Sequence, residues 1–139
     1  MNILSRMVYL LDTCTVSDFI KGDENTLFKL KAKSPTQIKI SSITAYELRY
    51  GLKKNPRLKM ATKNAIHGFI KDTETIPFGI EESDIAADIR TTLEREGKPI
   101  GAYDILIAAT ALTNEFILAT SNEKEFIRIP NLAVENWRY

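Results

Sequence analysis

The chain has 139 residues, 44% of them hydrophobic and 27% charged, which is enough apolar material for one compact globular domain with a single core. Nineteen basic against eighteen acidic residues leave a net charge of +1, which excludes a bulk polycationic nucleic-acid coat and confines any such contact to local patches. A single cysteine, Cys14, and a single histidine, His67, exclude an internal disulfide, a thiolate metal cage and a two-histidine zinc site.

The longest purely apolar stretches, such as MVYLL at 7–11, are a few residues long. They match neither a membrane span nor a secretory signal. The chain therefore reads as soluble and cytoplasmic, with no membrane partner. No linker or repeat divides it, and residues 1–6 read as an N-terminal extension.

Residues 7–11 form a short apolar strand that ends directly in Asp12, Thr13, Cys14 and Thr15. A continuous apolar strand followed by a polar turn is the pattern of a buried parallel strand. Helical spacing follows at 16–21 and 25–33, then a second strand at 37–41. In SSITAYELRYGLKK, Ser42 or Thr44 caps a helix that Asn55-Pro56 ends. A helix at 57–71 leads to a strand at 75–78. Residues 81–96 then read as an amphipathic helix, with Ile85, Ile89 and Leu93 four apart and Gly97 as its stop. The helix at 102–114 is apolar on nearly every side yet carries Asp104. A strand at 116–119, a polar turn at 120–125 entering a short helix, and a strand at 132–134 complete the chain. Strands alternating with helices predict an α/β fold, with a mainly parallel sheet covered on both faces.

Ligands of such sheets bind beyond the carboxyl ends of the strands. By that rule Asp12, Glu47, Asp104 and Glu125 arrive at one edge from four separate elements. A helix that is apolar all round is normally buried, and an unpaired charge in it is costly. Hard cations such as Mg²⁺ and Mn²⁺ prefer carboxylate oxygens and relieve the repulsion among them. The chemistry that fits is phosphodiester hydrolysis by metal-activated water, which needs no histidine. Each acid also has a plain structural reading. Asp12 alone suits a helix N-cap equally well, Glu47 a solvated helix position, Asp104 a favourable place near a helix N-terminus, and Glu125 a surface ion pair with Lys124 or Arg128.

The strings YLLDTCTVSDFIKG, ISSITAYELRYGLKK, GKPIGAYDILIAATAL and EFIRIPNLAVENW, in that order, span nearly the whole chain. Together they resemble a PIN-domain protein, specifically a VapC-type toxin of a bacterial type II toxin–antitoxin pair. The resemblance implies a three-layer α/β/α fold, Mg²⁺- or Mn²⁺-dependent endoribonuclease activity on RNA, often tRNA, inhibition by a VapB-type antitoxin, and a homodimer. Carried over by motif, the catalytic acids fall on Asp12, Glu47 and Asp104, with Asp12 and Asp104 as the usual metal ligands. Thr13, Thr120, Ser121 and Asn122 would be supporting polar residues. Two positions depart from the pattern. Cys14 stands where the family usually has Asn, and Asn122 falls in the region of the fourth acid, so that Glu125 would supply it. The first departure leaves an alternative open: a catalytically weakened PIN module that acts only by binding RNA or its antitoxin.

From Arg49 to Lys63 the chain carries six cations and no acid, and Arg49, Lys53, Lys54 and Arg57 are the candidates for RNA phosphate contact. A solvated helix face explains them as well. Tyr46, Tyr50 and Tyr103 are able to stack on unpaired bases, though core or interface packing is their commoner use. His67, between Ile66 and Phe69, reads as structural.

Overall fold

The computed structural model describes residues 7–139, so the reading of residues 1–6 as an extension lies outside the described residues. Among the described residues the strands are β1 (Tyr9–Leu11), β2 (Ile38–Ser41), β3 (Glu74–Ile76), β4 (Ile117–Ala119) and β5 (Val134–Glu135). They form one sheet in the order β3-β2-β1-β4-β5. Every pairing is parallel, as the apolar runs predict. Tyr9, Leu10 and Leu11 lie opposite Ile38, Lys39 and Ile40 on one side and opposite Ile117, Leu118 and Ala119 on the other. The chain winds outward through β2 and β3, then returns to the far side of β1 as β4 and β5. A crevice therefore opens beyond the carboxyl ends of β1 and β4, where the strand order reverses.

The helices are α1 (Thr13–Lys21), α2 (Glu24–Lys31), α3 (Ser42–Lys54), α4 (Met60–Asp72), α5 (Ile80–Arg95), α6 (Ala102–Asn114) and α7 (Glu123–Phe126), with a 3-10 turn at Pro35–Gln37 before β2. Side chains alternate across the sheet with period two, which divides the core into two halves. Leu10 and Leu118 point to one face and pack with Ile89 and Leu93 of α5 and with Ile105, Ile107 and Ala108 of α6. Tyr9, Leu11, Ile38, Ile40 and Ala119 point to the other, against Val16 of α1, Ala45 and Leu48 of α3, Ile70 of α4, and Trp137. The result is the expected three-layer α/β/α arrangement. The all-round apolar helix is indeed interior: Ile105, Ile107, Ala108, Ala109, Thr110 and Ala111 of α6 are all buried.

Element ends differ from the sequence reading, and each difference has a local cause. Helix α1 starts at Thr13, ahead of the apolar pattern, because Asp12 caps it by accepting from the Thr15 amide. Helix α4 starts only at Met60, after the turn that follows Asn55-Pro56. Strand β3 stops at Ile76, and the Phe78 amide donates instead to the Ser42 hydroxyl at 3.2 Å. Strand β5 covers Val134 and Glu135, which pair with Leu118 and Ala119, while the left-handed Asn131 (φ 68°) belongs to the turn before it. Gly97 (φ 70°) ends α5 in the left-handed conformation that glycine adopts without a Cβ penalty. Among the described residues no helix is long and apolar enough to cross a membrane.

Leu118 is fully buried in a strand hydrogen-bonded on both sides. Leu118→Ala is expected to cost about 2–5 kcal/mol, the range for a leucine whose cavity cannot fully collapse. Urea denaturation followed by circular dichroism measures this directly; a loss below about 1 kcal/mol would contradict the packing described.

Candidate active site

Asp12 leaves the end of β1 and is 3% exposed. Its own amide donates to the Ala119 carbonyl at 3.1 Å, which fixes it beside the end of β4. One carboxylate oxygen, Oδ1, accepts from the Thr15 amide at 2.8 Å, so Asp12 is the N-cap of α1. The other, Oδ2, accepts a short hydrogen bond from Thr120 Oγ1. The N-cap and ligand readings are therefore compatible, since capping engages one oxygen and leaves the other directed at the β4 loop. Burial pushes the Asp12 carboxyl above its ordinary range, against the opposing effect of the hydrogen bonds from Thr120 and Thr15.

Glu47 comes from α3. That helix begins at the end of β2, where the Ser41 hydroxyl accepts from the Thr44 amide at 3.0 Å. The Glu47 carboxylate is half-buried and accepts from Thr13 Oγ1 at 2.6 Å. Thr13 Oγ1 also lies 3.4 Å from Thr44 Oγ1, and its single proton is committed to the shorter, charge-assisted bond.

Asp104 stands in the first turn of α6, half-buried, and Glu125 meets it from α7. Two carboxyl groups hydrogen-bond only by sharing a proton. Partial burial, the hydrogen bond to Glu125, and the charges of Glu125, Asp12 and Glu47 together push the Asp104 carboxyl up to about 7. The loop after β4 prepares this pair. Thr120 Oγ1 accepts from the Asn122 amide at 2.9 Å, and Asn122 Nδ2 donates to Glu125 Oε2 at 3.0 Å. Ser121, in the same loop, is half-buried. Asn122 thus hydrogen-bonds Glu125, whose charge helps to raise Asp104.

Cys14 is exposed in the first turn of α1. Partial desolvation and the charges of Asp12, Asp104, Asp18 and Glu47 push its thiol up to about 11. The thiol stays protonated at neutral pH and is a poor nucleophile or metal ligand. Among the described residues no three acidic, cysteine or histidine side chains close into a cage. Each carboxylate is turned instead onto a hydroxyl or another carboxyl, as mutual repulsion requires. The donor set consists of oxygens, and the nearby charges of Glu125, Asp12 and Glu47 help to raise the Asp104 carboxyl. A hard divalent cation would relieve that repulsion, so the residues fit such an ion.

Other assignments fare unevenly. Arg49 and Lys53 line an open groove of about 630 Å³ on α3 together with Tyr46 and Tyr50. Lys54 Nζ lies 5.8 Å from the Tyr50 ring centroid, and Arg57 is exposed in the turn before α4. His67, expected to be structural, is exposed and lines a second groove with Arg49, Lys53 and Lys63. Sequence reasoning missed the pairing of buried Asp18 with Arg138, whose Nε and Nη2 donate to the two carboxylate oxygens at 2.8 and 2.9 Å. The partners lie 120 residues apart, so no local pattern announces them. It also missed Thr15, whose hydroxyl donates to the Ala119 carbonyl at 2.9 Å.

A family model for the PIN domain matches residues 9–132. The chain belongs to the PIN-domain family. Within it, the chain is 38% identical over 134 residues to Ribonuclease VapC2 of Rickettsia felis, covering 94% of this chain and 98% of that one. It is 33% identical over 131 residues to the tRNA(fMet)-specific endonuclease VapC of Salmonella typhimurium, covering 93% and 97%. Its fold is similar to that of VapBC2 from Rickettsia felis, solved bound to a DNA fragment from the promoter, with TM-score 0.85, 36% identity and coverage of 94% and 99%. This PIN domain thus aligns along nearly its whole length with VapC ribonucleases.

The raised Asp104 carboxyl has a consequence for stability. Its carboxyl titrates from the ordinary 3.8 in the unfolded chain to about 7 in the fold. A raised acid favours folding only while protonated, so the cost of ionising it is absent below about pH 4 and complete above about pH 7. With a chelator present, urea stability is expected to fall across that window by more in the native protein than in Asp104→Asn, which has nothing to titrate there. Parallel pH profiles for the two proteins would contradict the coupling.

Proposed function

We propose that this PIN domain hydrolyses phosphodiester bonds in RNA with a divalent cation, Mg²⁺ or Mn²⁺, as cofactor, and that it is the cytoplasmic toxin of a VapBC-type pair held in check by a VapB-type antitoxin. The observation that supports the reading is that Asp12 follows β1 while Glu47, Asp104 and Glu125 lie early in α3, α6 and α7, beside the parallel sheet, and that the charges of Glu125, Asp12 and Glu47 help to raise the Asp104 carboxyl. Asp12 and Asp104 would hold the cation, Glu47 would contribute to the same set, and Glu125 would complete it. A cation bound there would lower the pKa of a water and offset the charge that builds on the phosphate and the leaving oxygen. Thr120 and the Thr15 amide fix the orientation of Asp12, Thr13 fixes Glu47, and Asn122 fixes Glu125. These bonds set the carboxylates in place before substrate arrives, as an outer shell of hydrogen bonds does for metal ligands.

The names of the relatives support RNA, and tRNA among RNAs, as the substrate class, and the VapBC complex from Rickettsia felis supports the partner. Incubated with a tRNA pool, the protein is expected to cut with Mg²⁺ or Mn²⁺, to stop cutting with chelator, and to fall to background as Asp104→Asn. RNA left intact with either metal, or an equally active variant, would sink the assignment.

Cys14 favours a second reading in degree rather than kind. Where an amide would donate to a carboxylate or a water, this chain offers a protonated thiol, a weaker donor. Cys14→Asn is expected to tighten Mn²⁺ binding about tenfold, the scale on which such supporting contacts act. Isothermal titration measures it, and unchanged affinity would show that the thiol costs the site nothing.

A further inference from the structure

The shoulder of the acidic site is built from aromatic rings. Tyr46 immediately precedes Glu47 on α3, and Tyr103 immediately precedes Asp104 on α6. Their hydroxyls lie 3.3 Å apart, and their rings meet edge to face with centroids at 5.6 Å. Tyr50, one turn along α3, presents a nearly parallel ring at 6.4 Å from Tyr46. Tyr46, Tyr50 and Tyr103 are 50%, 54% and 48% exposed, so about half of each faces water. Packing inside the fold therefore does not account for them. The groove of about 630 Å³ that starts here is also lined by Arg49 and Lys53, and no acid lines it.

Resting on the ribonuclease reading above, we propose that this groove binds an unpaired stretch of RNA next to the scissile phosphate, with bases stacked on Tyr46 and Tyr50 and phosphates on Arg49 and Lys53. Charge complementarity selects a polyanion, and exposed π-faces select a polyanion whose bases are free to stack. A duplex keeps its base faces covered and offers only the charge component. Adjacency to the acids selects the strand being cut: Tyr46 and Tyr103, each next to an acid in the chain, meet at the mouth, and from Glu47 to Lys53 the helix rises about 9 Å and turns by about 120°, so a strand leaving the carboxylates crosses α3 over Tyr46 and Tyr50 to reach the groove. The Tyr46–Tyr103 hydrogen bond ties α3 to α6 at the mouth, which makes the first ring a fixed wall. Substrate preference for loops and single strands follows from this groove, independently of which nucleotide is cut.

The test is fluorescence anisotropy with a short labelled oligoribonucleotide, single-stranded or annealed to its complement, in EDTA so that nothing is cut. The full-length protein is expected to bind the single strand more tightly than the duplex. Tyr46→Leu and Tyr50→Leu should each weaken single-strand binding roughly 5- to 150-fold, the worth of one stacked base, and leave the weaker duplex binding unchanged. Tyr46→Phe, which keeps the ring, should retain most of the affinity. Arg49→Ala and Lys53→Ala should each reduce the salt dependence by about 0.7 in log–log slope.

Leucine variants that bind the single strand as the native protein does would overturn the proposal. So would leucine variants that keep RNA affinity but alter molar mass in light scattering, which would make the face a contact between copies, or that lose only antitoxin binding, which would make it a protein interface. Cleavage by the native protein, assayed separately with metal, distinguishes the two readings. Cutting without any dependence of binding on the tyrosines overturns the groove alone, whereas binding through the tyrosines without cutting overturns the ribonuclease reading and leaves the groove standing.

Discussion

The hydrogen bond between Thr120 and Asp12 is the contact on which the rest of the site depends. Asp12 ends the central strand, where the sheet order reverses, and Thr120 ends the strand beside it. Backbone pairing brings the two ends together, since the Asp12 amide bonds to Ala119 one residue before Thr120. The buried carboxylate is therefore supplied with donors by the same ladder that buries it. Its second oxygen caps α1, so helix, strand and site are set by one side chain. Thr120 then passes the order on by accepting from Asn122, whose amide group holds Glu125 against Asp104.

That arrangement sets stability against activity. Carboxylates crowded at one edge repel: partial burial and neighbouring charges raise the Asp104 carboxyl, while hydroxyls donate to Asp12 and Glu47. The strain is tolerable because the scaffold below it is ordinary: two apolar half-cores on either side of a parallel sheet, with Leu10, Leu11, Ile40 and Leu118 fully buried. Sites that do chemistry are commonly where a fold spends stability obtained elsewhere. Asp18 shows the contrast. It is also a buried acid near the cluster, but the bidentate pairing with Arg138 satisfies both of its oxygens, and it is structural.

Charge is distributed along α3 in the same spirit. Its first turns bring Glu47 to the acids, and its later turns carry Arg49 and Lys53 outward along a groove edged by tyrosines. The two ends of one helix thus carry opposite charge, acid beside the other carboxylates and base along the groove. A net charge of +1 hides this polarity completely.

Fold class was legible in the chain itself because its strands are short apolar runs and its helices repeat every three to four residues, and those periods reflect which faces are buried. Asp104 declared itself as the only charged residue of a largely apolar helix, and Asp12 by following the first strand. The element ends were less legible, since a cap such as Asp12, a turn residue such as Asn131 or the Ser42 bond to Phe78 depends on neighbours brought in by folding. Only the tertiary structure decided that Asn122 donates to Glu125, that Cys14 lies within the field of four carboxylates, that Asp18 belongs to Arg138, and that Tyr46 and Tyr103 meet. The physical reason is the same for all four. Periodicity records which side of an element is buried, whereas the pairing of polar groups depends on distances between elements far apart in the chain, and those exist only once the sheet has closed around β1.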